Sequence, residues 1–541
     1  MTAALEVAAT GAAAEAIGSV VPSLVEGRFA SRLFAQDPTL WGDEAESEAR
    51  TRLSWVRLHR SSRPLLGAVA ALRGELHDEG VDHVVLCGMG GSSLAPEVIC
   101  RTAGVELTVL DSSDPDQVRA AVEDRLERSV VVVSSKSGST VETDSQRRTY
   151  EEAFRQAGID PTRRIVVVTD PDSPLDRQAR GAGYRVLNAD PDVGGRYSAL
   201  TAFGLVPSGL AGADIEALLD DAETVADLLA EDDEANPGLR LGAALAGTQP
   251  LRDKVVLLDE GSGLAGFADW AEQLIAESTG KNGTGLLPVV VADSTAPEVA
   301  LPPPDVTVAR LVADADPDDD RPAETSGSDV SVTGPLGAQL LLWEVATATA
   351  GRILGINPFD QPDVESAKKA AREMLEGSPQ RVAPDLTDGP VEIRALGGGW
   401  LDEADTVAEA VDRLLAQLDD KAGYVAVMAY LDRTAFPELA DVRRTLAVRT
   451  RRPVTFGWGP RFLHSTGQFH KGGPPVGVFV QVTGEPTADL AVPGRDYTFG
   501  TLVAAQAAGD AQVLADHSRP VLRLHLTDRS AGVPALLQAL A

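Results

Sequence analysis

The chain has 541 residues, 43% of them hydrophobic and 24% charged, and 81 acids against 48 bases leave a formal net charge of −33 at pH 7. That length exceeds one compact core, and the acidity argues against nucleic-acid or anionic-lipid partners, which need clustered Lys and Arg. Two cysteines, Cys87 and Cys100, are too few for a disulfide framework or a cysteine zinc site. No stretch approaches the roughly 18 apolar residues of a membrane span. Residues 1–21 mix acids into alanines without a basic start, so a soluble, cytoplasmic chain with no membrane partner is expected.

Residues 1–80 have an intermittent apolar face from Trp41, Leu53, Trp55 and Leu58, which predicts a helical N-terminal segment. An α/β alternation occupies 81–205. Strands are predicted at 81–87, 106–110, 129–134 and 164–169, with helical patterns between them, the signature of a doubly wound parallel sheet whose ligand sits at the carboxyl ends of its strands. Residues 206–250, rich in Ala, Leu and acids, predict connecting helices. A second α/β domain is expected over 251–541, opening with a strand at 254–259. It would contain an acidic loop at 313–334, a helix over 338–354, and a C-terminal extension with strands at 423–428, 476–482 and 521–526. The expected fold is therefore two doubly wound parallel-sheet α/β domains with flanking helices.

Between the first strand and the next helix lies GMGGSSLAP, residues 88–96. Glycines let the backbone approach an anion, and a helix start presents free N–H groups, so Gly91 and Ser92 are candidate phosphate contacts. A tight structural turn or a dinucleotide loop would also place glycines here, and Asp111 mimics a ribose-binding acid. However, a dinucleotide fingerprint would put its third glycine at 93, which is serine. After the third strand comes SSKSGSTVET, residues 134–143. Ser135, Ser137, Ser139, Thr140 and Thr143 have the hydroxyl density of a phosphate cradle, with the Lys136 cation among them, whereas a helix cap needs only one hydroxyl.

The segment 134–143 resembles the phosphate loop of sugar isomerase (SIS) domains. Residues 88–96 and VGGRYSALTAFG, 193–204, are similar to the two signatures of the glucose-6-phosphate isomerase family, especially the isomerase half of its fusions with transaldolase. The likeness is clear over about 80–300 and patchier beyond. It implies two SIS-type domains, a hexose phosphate substrate, no cofactor and no metal. It also implies interconversion of an aldose and a ketose phosphate through an enediolate. Alternatives on the same fold are an isomerase for another sugar phosphate, such as mannose 6-phosphate, or a non-catalytic sugar-phosphate-binding regulator.

By this resemblance Arg196 stabilises the enediolate, which suits a permanently charged guanidinium in a glycine-rich loop. The stretch 273–281, QLIAESTGK, is helical in pattern and places Gln273 and Glu277 on one face. The competing Glu272 points about 100° away from Gln273. The family pattern makes Glu277 the general base and Gln273 a substrate neighbour. It also carries over Gln361 and Lys368 from FDQPDVESAK, 359–368, with Lys369 set aside. Ring opening needs a second acid–base group. A histidine with glutamine four residues on matches His464 and Gln468, although in ordinary members it precedes the lysine segment, and His470 is an alternative. The resemblance further implies a homodimer in which a partner contributes that histidine.

Overall fold

The computed structural model of the protein describes residues 5–313, 329–364, 374–375 and 382–540. Strand Ser129–Ser134 is four valines between serines and is buried throughout. Its side chains alternate between two apolar clusters, Val130 and Val132 in one, Val131 and Val133 in the other, as a parallel strand covered on both faces requires. Around it the first sheet runs Thr108–Leu110, His83–Gly88, Ser129–Ser134, Ile165–Thr169, Arg185–Asn188, all parallel. The carboxyl ends of its central strands release residues 88–96 and 134–143.

Helices Ala202–Ala211, Ile215–Ala230 and Pro237–Ala246 cross to the second sheet. The last is opened by Asn236, whose side chain accepts from the N–H groups of Gly238 and Leu239, with Pro237 at the first helical position. The second sheet runs Glu6–Ala9, Val330–Thr333, Val306–Val312, Lys254–Glu260, Leu287–Val291. It is parallel except for Glu6–Ala9, which lies antiparallel on its edge. The segment expected to be helical at the N-terminus thus also contributes a strand, followed by helices such as Gly11–Glu26 and Pro64–Asp78. Of the acidic loop expected at 313–334, residues 314–328 lie outside the described residues and Val330–Thr333 is a strand.

Residues 251–541, expected as one α/β domain, hold two sheets. The third is Leu386–Asp388, Val391–Leu396, Val521–Leu526, Gly477–Gly484, Tyr424–Tyr430, Val454–Trp458, with a parallel core of four strands and an antiparallel hairpin at one edge. It is not a detached extension. Tyr424, Ala426, Met428 and Phe479 share an apolar cluster with Val256, Leu258, Val289 and Val308 of the second sheet. Charged contacts tie the unit to the first sheet. Arg461 pairs with both Glu97 and Asp111, Arg433 lies 3.1 Å from Glu97, and Arg529 lies 2.7 Å from Asp114. Among the described residues no helix is long and apolar enough to cross a membrane.

Candidate active site

Helix Phe267–Thr279 turns Phe267, Trp270, Ala271, Leu274 and Ile275 into the core. Gln273 and Glu277, one turn apart on its other face, meet side by side, with the Gln273 amide donating to Glu277 at 3.0 Å. Arg196, from a short turn after the first sheet, is 3% exposed and its Nη1 lies 3.3 Å from Glu277 Oε1. Its other bonds fix it. Nε donates to Ser278 Oγ at 2.9 Å, Nη1 to Gln361 Oε1 at 2.9 Å, and Nη2 to the carbonyls of Pro358 and Asp360 at 2.7 and 3.0 Å. With its donors engaged on protein acceptors, this guanidinium could offer a ligand chiefly an immobile charge.

The loop that carries Gln361 is anchored twice more. Buried Lys281 donates to the carbonyls of Asn357 and Asp360 and to the Asp360 carboxylate at 2.6–2.8 Å. Burial, with the nearby Arg196 charge, pushes its ammonium down to about 8, and Asp360 opposes that shift. Phe359 packs on Tyr197 and Trp41 at 5.5 and 4.9 Å, so the N-terminal segment braces the loop from behind. Lys368 lies outside the described residues.

The glycines of residues 88–96 serve close packing as well as any anion. A Cβ on Gly91 would stand 2.0 Å from the carbonyl oxygen of Gly195. The two sequence signatures therefore touch backbone to backbone, and Gly195 adjoins Arg196. Ser92 uses its N–H on the Met89 carbonyl at 3.2 Å, which leaves its half-buried hydroxyl as the group able to meet an anion.

In the hydroxyl loop, Ser135 Oγ donates to Thr140 Oγ1 at 3.2 Å and accepts from the Gly138 N–H at 3.1 Å. The hydroxyls of exposed Ser137 and Ser139 are 2.7 Å apart. Thr140 begins helix Val141–Gln156 without capping it, so the first-turn N–H groups stay available for an anion. Two expected phosphate contacts are placed otherwise. The Lys136 ammonium is held by Asp170 at 2.7 Å and by the carbonyls of Pro191 and Val193, and Thr143 is buried with no partner for its hydroxyl among the described residues.

His464 closes the cleft from the C-terminal unit. Its Nε2 stands 3.0 Å from Glu142 Oε1, and its carbonyl accepts from Gln273 at 2.7 Å. Glu142 lies inside the hydroxyl-loop motif, and the sequence marks it only as an acid in a first helical turn. Gln468 bonds the Gly280 carbonyl and the Asp363–Val364 backbone, joining the end of the Glu277 helix to the loop beyond Gln361. His470 is a core residue. It stacks on Tyr424, and burial, aided by Lys471 and Arg519, pushes its imidazole down to about 3. Glu272 is half-buried, with Asp269 and Arg461 as its charged neighbours, and burial with the Asp269 charge pushes its carboxyl up to about 8.

The family model for phosphoglucose isomerase matches residues 70–284, a span holding both glycine signatures, the hydroxyl loop, Arg196, Gln273 and Glu277. A glucose-6-phosphate isomerase of Rubrobacter xylanophilus is 31% identical over 381 residues, 58% of this chain and 87% of its own. One from Thermosynechococcus vestitus is 29% identical over 434 residues, 69% of this chain and 80% of its own. Among solved structures, a Thermus thermophilus protein titled hypothetical protein TT0462 superposes with a TM-score of 0.57 at 26% identity, over 69% of this chain and 100% of its own.

Proposed function

Because the chain belongs to the glucose-6-phosphate isomerase family, we propose that its cleft interconverts glucose 6-phosphate and fructose 6-phosphate by moving a proton between C2 and C1. The observation that carries this reading is the Arg196–Glu277 pair, 3.3 Å apart and almost wholly buried, at the end of an unbroken run of polar contacts. From the phosphate loop the contacts pass through Glu142 and His464 to Gln273 and Glu277.

In this reading the phosphate rests on Ser135, Ser137, Thr140 and the Ser92 hydroxyl, at the positive end of helix Val141–Gln156. A neutral hydroxyl cradle suits a dianion that must also leave. His464, oriented by Glu142, gives a proton to the ring oxygen as the C1–O5 bond breaks, while the O1 hydroxyl loses one, a step in which the resemblance adds Lys368. Glu277 then takes the proton from C2 and returns it to C1. The electron pair spreads over C1, C2 and their oxygens as an enediolate, and the fixed Arg196 charge stabilises it. Gln273 and Gln361 hold the acid and the arginine in register. A small phosphorylated metabolite as substrate and a strongly acidic surface suit a cytoplasmic enzyme with no nucleic-acid partner.

The test is turnover of fructose 6-phosphate in the presence of EDTA, by wild type and by Glu277→Gln. Activity is expected to survive the chelator and to fall by about 10²–10⁴-fold or more in the variant. A variant as active as the wild type refutes Glu277 as the base, and an inactive wild type refutes the isomerase.

A further inference from the structure

One buried polar side chain next to the ring-opening pair belongs to neither signature nor loop. Gln506, in helix Phe499–Asp516 of the C-terminal unit, is 3% exposed. Its Nε2 lies 2.6 Å from Glu142 Oε1, the same oxygen that stands 3.0 Å from His464 Nε2. An ionised carboxylate only accepts, so the NH₂ end of the amide must face it. The other end, Oε1, is buried with no hydrogen-bond partner among the described residues. Burying half an amide unsatisfied is unfavourable, so packing alone does not account for glutamine here. What the residue gains is one short bond to the carboxylate that orients the histidine.

The same helix grips the histidine's segment. Asp510, one turn beyond Gln506, is 2.6 Å from Lys471 Nζ, and both are almost fully buried. Lys471 belongs to helix Gly467–Gly472, directly after His464, and also donates to the Gly467 carbonyl at 3.3 Å. One rigid helix thus fixes Glu142 through Gln506 and the His464 segment through Asp510.

We propose that Gln506 is a positioning residue of the isomerase, holding Glu142 Oε1 on the His464 imidazole so that ring opening is served by a pre-aligned pair. The inference rests on the isomerase reading above. A neutral donor aligns the carboxylate without cancelling its charge, as an arginine or lysine at 506 would. It touches no substrate atom, so its removal impairs the step that uses His464 and spares the binding of a ligand that has no ring to open.

The test uses the full-length chain with Gln506→Met, which keeps volume and flexibility but removes the donor, and with Gln506→Glu, which keeps shape and puts a second carboxyl against Glu142. Two quantities are read, kcat with glucose 6-phosphate and the calorimetric affinity for an open-chain phosphorylated sugar acid that mimics the enediolate. In both variants kcat is expected to fall about 10- to 100-fold while the affinity stays within about twofold. Unchanged kcat in a folded Gln506→Met overturns the proposal. So does a parallel loss of kcat and affinity in both variants, which would make Gln506 a packing residue of the whole cleft. If the methionine variant does not fold, the same two readings on Gln506→Glu decide. A wild type that binds the mimic but turns over no sugar phosphate overturns the isomerase reading instead.

Discussion

Substituting Gly91 and Gly195 by alanine, one at a time, separates backbone contact from mere glycine content. A Cβ on Gly91 would stand 2.0 Å from the Gly195 oxygen and 2.4 Å from its carbonyl carbon, whereas one on Gly195 meets nothing within 4 Å. Neither obstacle is a flexible side chain, so in Gly91→Ala the 193–197 turn must retreat by at least roughly 1 Å to relieve the clash. Such overpacking costs about 1–3 kcal/mol of stability. Arg196 follows Gly195 directly, and a displacement near 1 Å at a reacting group lowers the rate by about 10²-fold. Thermal melting and the coupled assay with fructose 6-phosphate read the two effects. Gly91→Ala is expected to melt lower and lose about two orders of magnitude in kcat, and Gly195→Ala to stay within about threefold of wild type on the same geometric reasoning. Full activity in Gly91→Ala, or equal damage from both, would refute the claim that this contact aims Arg196.

Because His464 and Glu277 meet in one chain, mixing Glu277→Gln with His464→Ala, by co-expression or joint refolding, is expected to restore no activity. Recovery near a quarter of wild type, as random pairing in a two-fold dimer with shared sites would give, would show that a partner supplies the histidine. The clamp between the C-terminal unit and the first sheet predicts a pH effect. Burial pushes the Glu97 carboxyl up, but Arg461 and Arg433 outweigh it and hold the group down to about 2 against an ordinary 4.5. Its folded value is the depressed one, so its stabilisation is present above pH 4.5 and is lost as pH falls towards 2. Melting curves of Glu97→Gln are expected to lose less than wild type over that window, and parallel curves would refute the assignment.

Where apolar residues run uninterrupted, the sequence was legible almost to the residue. The strands at 129–134 and 521–526 form over the residues expected, because a valine- or leucine-rich run bounded by polar residues has few other ways to be buried. Strand Arg185–Asn188 begins exposed and ends in asparagine, as an edge strand can, and carries no such signal. Nor does Glu6–Ala9, whose four residues are specified by pairing with Val330–Thr333, far away in sequence. Three of the third sheet's six strands were visible, at 423–428, 476–482 and 521–526, but not the unit, because its inner face is as apolar as that of any core and the prolines at 379, 384 and 390 that mark its start resemble those of an ordinary loop. Arg196, Gln273, Glu277 and His464, which the structure brings together, are the ones that motifs single out in the sequence. Glu142 was hidden because an acid in a first helical turn is what the helix dipole favours anyway. Gln506 sits in an alanine-rich helix, where only a distance reveals its partner.

The late position of His464, beyond the lysine segment in chain order, follows from how the third unit is attached. Its sheet shares a core with the second sheet while Arg433, Arg461 and Arg529 grip the first, so the unit spans both walls of the cleft. Arg461 and His464 belong to one short turn, and the ion pairs that dock the unit therefore also set the depth at which the histidine enters. Among the described residues, His464 reaches Glu142 and Gln273 within one chain. Chain order is irrelevant to the chemistry as long as some rigid element delivers an imidazole to Glu142, and here the C-terminal unit does so with residues of its own.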